Sequence, residues 1–135
     1  MPIRPKIIYV EDDAADAELF ERNLAKSGVS AEVLILDNAT CMSYLRRIAL
    51  EDQELPDILI FDLKMPGEGG IGILRSVREL AEFDATPVVI FSGSTGPQEK
   101  AECLRIGASL CLEKPRLAKE WDQIMSSLSS FLAAR

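Results

Sequence analysis

Side chains able to do chemistry stand at the ends of apolar runs in this sequence. Glu11, Asp12 and Asp13 follow Lys6-Ile7-Ile8-Tyr9-Val10. Asp62 follows Asp57-Ile58-Leu59-Ile60-Phe61, and Ser92 and Gly93 follow Pro87-Val88-Val89-Ile90-Phe91. Lys114 and Pro115 come soon after the run 108–112. The chain has no His, which excludes Ser-His and Cys-His nucleophile pairs and the usual transition-metal ligands. Its three cysteines, Cys41, Cys103 and Cys111, are odd in number and form no C-x-x-C, which argues against a disulfide framework or a zinc site. Any chemistry must therefore run on carboxylates, hydroxyls and lysine.

The elements that position these groups repeat a strand-helix unit five times. The apolar runs 6–10, 31–36, 57–61, 87–91 and 108–112 read as short buried strands. Residues 14–26, 39–50, 71–80 and 97–105 have helical spacing. Asp13 is placed to cap the first helix, with Asp16 in its first turn, and Gly28 to end it. Leu117, Trp121, Ile124, Leu128 and Phe131 form one apolar stripe of a fifth helix, which makes Trp121 a core residue. Near-continuous apolar strands alternating with helices predict an α/β fold: a doubly wound five-stranded parallel sheet with helices on both faces. The flavodoxin-like strand order 2-1-3-4-5 is the common one at this size.

Ligands of such a sheet bind beyond the carboxyl ends of its strands. Strands one, three, four and five would bring Glu11, Asp12, Asp13, Asp62, Ser92 and Lys114 to that end. The second strand ends at Asp37-Asn38, at the sheet edge and away from the switch point. A strand-end Asp ordinarily caps the next helix, and Asp13 is read that way, but capping does not account for the whole set. Crowded carboxylates repel unless a cation joins them. A hard dication with oxygen ligands answers that need, and Mg²⁺ typically keeps waters and shares phosphate oxygens. A carboxylate can then serve as nucleophile, as in aspartyl-phosphate chemistry.

The length of 135 residues suits a single domain, 1–135, with no output domain. No apolar run reaches the ~20 residues of a membrane span, and the N-terminus lacks a signal-peptide pattern. A cytoplasmic protein is expected. The net charge of −7 and the absence of a basic cluster argue against nucleic acid as a partner. The one adjacent basic pair, Arg46-Arg47, reads as a solvated helix face.

Four segments together resemble the receiver domain of two-component response regulators, over essentially the whole chain. They are residues 7–13 (IIYVEDD), 57–67 (DILIFDLKMPG), 88–93 (VVIFSG) and Glu113-Lys114-Pro115. The resemblance implies a stand-alone, chemotaxis-regulator-like signalling switch, not an enzyme beyond its own phosphorylation and dephosphorylation. Asp62 would be the phospho-acceptor. Glu11 and Asp12 would be the acidic pair of a Mg²⁺ site, Asp12 binding directly and Glu11 largely through water. Asp62 and the main-chain carbonyl of Lys64 would complete the protein ligands. Ser92 would be the switch hydroxyl and Lys114 the lysine that pairs with the phosphoryl oxygens. The bond before Pro115 is expected to be cis.

Two residues depart from the family pattern. Cys111 occupies the place, three before the lysine, where many receivers carry Tyr or Phe, and its apolar strand setting makes it a small core-like residue rather than a redox sensor. The Lys64 side chain is expected to overhang the site and tune hydrolysis. Residues 67–72 formally match G-x-G-x-x-G. They follow the third strand rather than opening a dinucleotide unit, so they read as a flexible loop beside Asp62.

The implied phosphoryl donor is a sensor histidine kinase or phosphotransfer protein, and output runs through a downstream protein target. A chemotaxis or flagellar-motor target, a phosphorelay, or pairing with a kinase such as a phytochrome would all fit, with a homodimer also possible. Two alternatives are an adaptor that no longer phosphorylates and a carboxylate-based phosphatase. The second lacks its D-x-D motif, because Asp62-Leu63-Lys64 has no second Asp.

Overall fold

The computed structural model describes residues 4–51, 54–67 and 69–133. Five strands, β1 (Lys6–Val10), β2 (Glu32–Leu36), β3 (Ile58–Phe61), β4 (Val88–Ser92) and β5 (Leu110–Glu113), form one parallel sheet in the order β2-β1-β3-β4-β5. The helices are α1 (Ala14–Ser27), α2 (Cys41–Leu50), α3 (Gly69–Arg78), α4 (Pro97–Ile106) and α5 (Trp121–Ala133). This is the expected architecture. None of the described helices is long and apolar enough to cross a membrane.

Strand alternation divides the core into two layers. Ile8, Val10, Leu59, Phe61, Val88 and Ile90 pack under α2, α3 and α4. Ile7, Tyr9, Ile58, Ile60, Val89 and Phe91 pack under α1 and α5. Trp121, Ile124 and Leu128 join this second layer, as the apolar stripe predicts. Leu117 does not: it precedes a single 3-10 turn, Ala118–Glu120, and is 56% exposed. The stripe gives the right face of α5 but overruns its start by one turn.

The caps follow from residue type. Asp13 accepts from the Ala15 and Asp16 amides, and Gly28 ends α1 with φ 81°. Pro97 opens α4, where the Glu99 carboxylate accepts from the Gly96 amide at 3.2 Å. Arg78, at the end of α3, donates to the carbonyls of Phe83, Thr86 and Gly107 at 2.7, 2.9 and 3.1 Å. One guanidinium thus ties down the turns that feed β4 and β5.

Three further expectations are corrected. Helix α3 begins at Gly69 rather than 71, because Gly69 and Gly70 lie directly against the backbone of Leu63 and Asp62. Residues 69–72 are therefore helix, not flexible loop. No described peptide bond is cis, so the bond before Pro115 is trans, the isomer an X-Pro bond prefers by ~0.5–1 kcal/mol.

Candidate functional site

At the carboxyl ends of β1, β3 and β5, Glu11, Asp62 and Lys114 come together. All three continue the strand parity that faces α1 and α5: Glu11 follows Tyr9, Asp62 follows Ile60 and Lys114 follows Leu112. The tips are fixed by backbone bonds from Glu11 N to Leu36 O, Asp62 N to Val10 O and Lys114 N to Ser92 O, at 2.9, 3.3 and 2.8 Å.

Lys114 is the hub of this cluster. Its Nζ donates to Glu11 Oε1 at 2.5 Å, to Asp16 Oδ2 at 2.7 Å and to Asp62 Oδ2 at 2.8 Å. The other Asp62 oxygen accepts from the Lys64 amide at 3.0 Å. Burial alone would lower the Lys114 pKa, but bonds to three carboxylates outweigh it and raise it above the ordinary lysine value. Burial pushes Asp62 up, yet the bonds from Lys114, the Lys64 amide and Glu11 hold it below the usual carboxylate range. Glu11 goes the other way. Burial raises it to about 7; the Lys114 bond opposes this, and the neighbouring Asp62 carboxyl adds to it. Of the two acids, Glu11 is the one that carries a proton near neutrality.

Asp16 is the site residue that sequence reasoning passed over. It reads as an ordinary first-turn acid of α1, but α1 packs on the same face as Glu11 and Asp62. Ligand oxygens of Glu11, Asp16 and Asp62 lie within 4.8 Å of one another. An acid in the first turn of the helix that follows an acidic strand tip is the signal that could have found it.

The remaining candidates take different places. Asp12 is exposed and accepts from the Asn38 amide at 2.7 Å, while Asn38 Nδ2 donates to Pro66 O at 2.6 Å. The second strand tip, expected to be remote, therefore braces both Asp12 and the loop after Asp62. Lys64 lines the cleft, and its Nζ lies 3.5 Å from a carboxylate oxygen of Glu99 on α4. Ser92 is fully buried on the opposite strand parity, and its Oγ has no hydrogen-bond partner among the described residues. A buried hydroxyl left unpaired carries a desolvation cost that an incoming acceptor would remove. Cys111 is half-buried against the layer under α2, α3 and α4, and burial raises its thiol pKa, as suits a packing residue.

Glu11, Asp12, Asp13, Asp16, Asp62 and Lys114 line an open cleft of about 490 Å³ together with Lys64 and Gly93. An all-oxygen donor set already crowded around one ammonium suits a hard dication. Nothing in the set is a soft ligand.

Comparison with known proteins agrees with this geometry. The response regulator receiver domain model matches residues 7–125. The response regulator Rcp1 of Synechocystis is 26% identical over 94% of this chain and 88% of its own length. The two-component response regulator ARR6 of Arabidopsis thaliana is 30% identical over 90% of this chain and 68% of its own. In structure, Mn²⁺-bound Rcp1 superposes with a TM-score of 0.79 at 25% identity, covering 95% of this chain and 94% of that one. The phosphorylated cyanobacterial phytochrome response regulator RcpA superposes at 0.84 with 26% identity, covering 98% and 97%. The chain belongs to the response regulator receiver domain family, the phosphorylation-activated switches of two-component signal transduction.

Proposed function

We propose that this receiver accepts a phosphoryl group on Asp62, with Mg²⁺ as the working ion, and signals by protein–protein contact. The observation that carries this is the Asp62 carboxylate, ionised and held at the cleft floor by Lys114 and the Lys64 amide. An ionised carboxylate is the nucleophilic form. Glu11, Asp12, Asp62 and the Lys64 carbonyl would hold the ion, which when bound supplies charge neutralisation for incoming phosphate oxygens. The Asn38 amide bond to Oδ1 would orient the Asp12 carboxylate. Lys114 would pass from the carboxylates to the phosphoryl oxygens. The unpaired Ser92 hydroxyl would turn to donate to them. Hydrolysis of its own acyl phosphate, tuned by Lys64, belongs to the same reading.

Incubation with Mg²⁺ and acetyl phosphate is expected to add the mass of one phosphoryl group, and Asp62→Asn is expected to abolish the gain. Equal labelling of the Asn variant would refute the assignment. A receiver-like adaptor without phosphorylation would show no gain in either chain.

The donor would be a sensor histidine kinase or phosphotransfer protein in the cytoplasm, with phytochrome pairing, as the name of RcpA states for that protein, one candidate. A homodimer is a further part of the proposal.

The metal affinity should depend on pH. Glu11 titrates at about 7 and must be ionised to face a cation, so binding displaces a proton. Apparent Mg²⁺ affinity, expected in the millimolar range for so few protein ligands, should rise roughly tenfold per pH unit below that value and level off above it. A titration at pH 6, 7 and 8 would check this, and an affinity flat across the range would contradict it.

A further inference from the structure

Tyr9 is an odd occupant of a central strand. Its side chain is fully buried, and its ring packs on Phe20 and Phe91 at centroid distances of 4.8 and 6.1 Å. A phenylalanine would fill that space with no donor to satisfy. The phenol instead donates to Glu11 Oε1 at 3.2 Å, across the two-residue step that puts both side chains on one face of the sheet. Lys114 donates to the same Glu11 oxygen, so Oε1 is held by two donors.

We propose that Tyr9 is a positioning residue for the divalent-cation site, fixing the Glu11 carboxylate from beneath. This rests on the reading that Glu11 helps to hold the ion. Its logic is one of persistence. When Lys114 leaves the carboxylates for an incoming phosphoryl group, the Tyr9 hydroxyl is the donor that stays on Oε1. It cannot swing away, because the ring is locked between Phe20 and Phe91. Groups that orient a metal ligand typically matter 10- to 100-fold for affinity. The same packing gives a reporter: Phe91 touches Trp121, the single tryptophan, at 5.7 Å between centroids, so its fluorescence samples the floor of the site.

The test compares Mg²⁺ titrations of the wild-type chain, Tyr9→Phe and Phe20→Leu, followed by Trp121 fluorescence and by amide NMR shifts. Tyr9→Phe keeps the ring and removes the hydroxyl. It is expected to weaken Mg²⁺ binding about tenfold. Phe20→Leu loosens the same aromatic cluster without touching the hydroxyl, and is expected to leave affinity within about twofold. Unchanged affinity in Tyr9→Phe would overturn the proposal. So would equal losses in both variants, since packing and not the hydroxyl would then set the site. A Tyr9→Phe chain that no longer melts cooperatively would overturn it as well, because the hydroxyl would be holding the fold. Absence of Mg²⁺ binding in the wild-type chain would instead remove the metal reading on which the proposal stands.

Discussion

Lys114→Met is expected to lower stability by about 3 kcal/mol in the absence of Mg²⁺, the low end for breaking a buried ion pair. The side chain is 15% exposed, and those of its partners Glu11 and Asp62 are 1% and 7% exposed. Methionine keeps the stem and removes the charge, so packing changes little. What remains is three carboxyl groups with no ammonium among them. The cost stays at the low end because Glu11 is partly protonated near neutrality and can absorb some of the lost charge. A thermal melt should fall by about 10 °C for a chain of this size. Saturating Mg²⁺ should raise the midpoint more in the variant than in the wild-type chain, since the cation then has no ammonium to compete with. Beryllofluoride occupancy of Asp62 should also weaken, by roughly 10- to 100-fold, for want of one charge-assisted hydrogen bond. A melt within a degree or so of wild type would mean that the carboxylates do not depend on Lys114.

Gly70→Ala is expected to damage both the fold and the site. A Cβ at this position would run into the Asp62 carbonyl oxygen and lie 2.9 Å from its carbon and 3.0 Å from Leu63 Cα. These are backbone atoms, so no rotamer relieves the clash. Either α3 or the strand tip carrying Asp62 must move. Overpacking of this kind costs about 1–3 kcal/mol. A displacement near 1 Å of a reacting group can cost about 100-fold in rate. The expected result is a lowered melt together with at least tenfold slower labelling by acetyl phosphate. Gly93→Ala is the control, because a Cβ there meets nothing within 4 Å. It should change stability by no more than about 0.5 kcal/mol. If both glycine variants behave alike, close approach at Gly70 is not what the sequence protects.

The parts of this molecule that the sequence reveals are those set by local rules. Strand runs of Val and Ile, the Asp13 cap and the Gly28 stop are each decided within a few residues. The strand order follows from the repeating βα pattern, and the order puts Glu11, Asp62 and Lys114 at one end. What escapes the sequence is set by packing between distant segments. Asp16 meets Lys114 across 98 residues, and only once α1 lies on the α5 face. Asn38, just past the end of the edge strand β2, bonds to Asp12 and Pro66, which are 26 and 28 residues away in sequence. Gly70 reads as loop freedom, but its reason is the carbonyl of Asp62 behind it. Tyr9 reads as one more apolar strand residue, since nothing local says where its hydroxyl goes. Leu117 fits the helical period and still falls outside α5, because periodicity sets a face more firmly than an end.

Phosphorylation at Asp62 would leave an acyl phosphate that can be trapped chemically. The chain would be treated with acetyl phosphate and Mg²⁺, then reduced with borohydride, which converts a phosphorylated aspartate to homoserine. Peptide mass mapping then locates the changed residue. Homoserine is expected at position 62 alone, dependent on Mg²⁺. Homoserine at another acid of the cleft, or none anywhere after a confirmed mass gain, would contradict phosphorylation at Asp62.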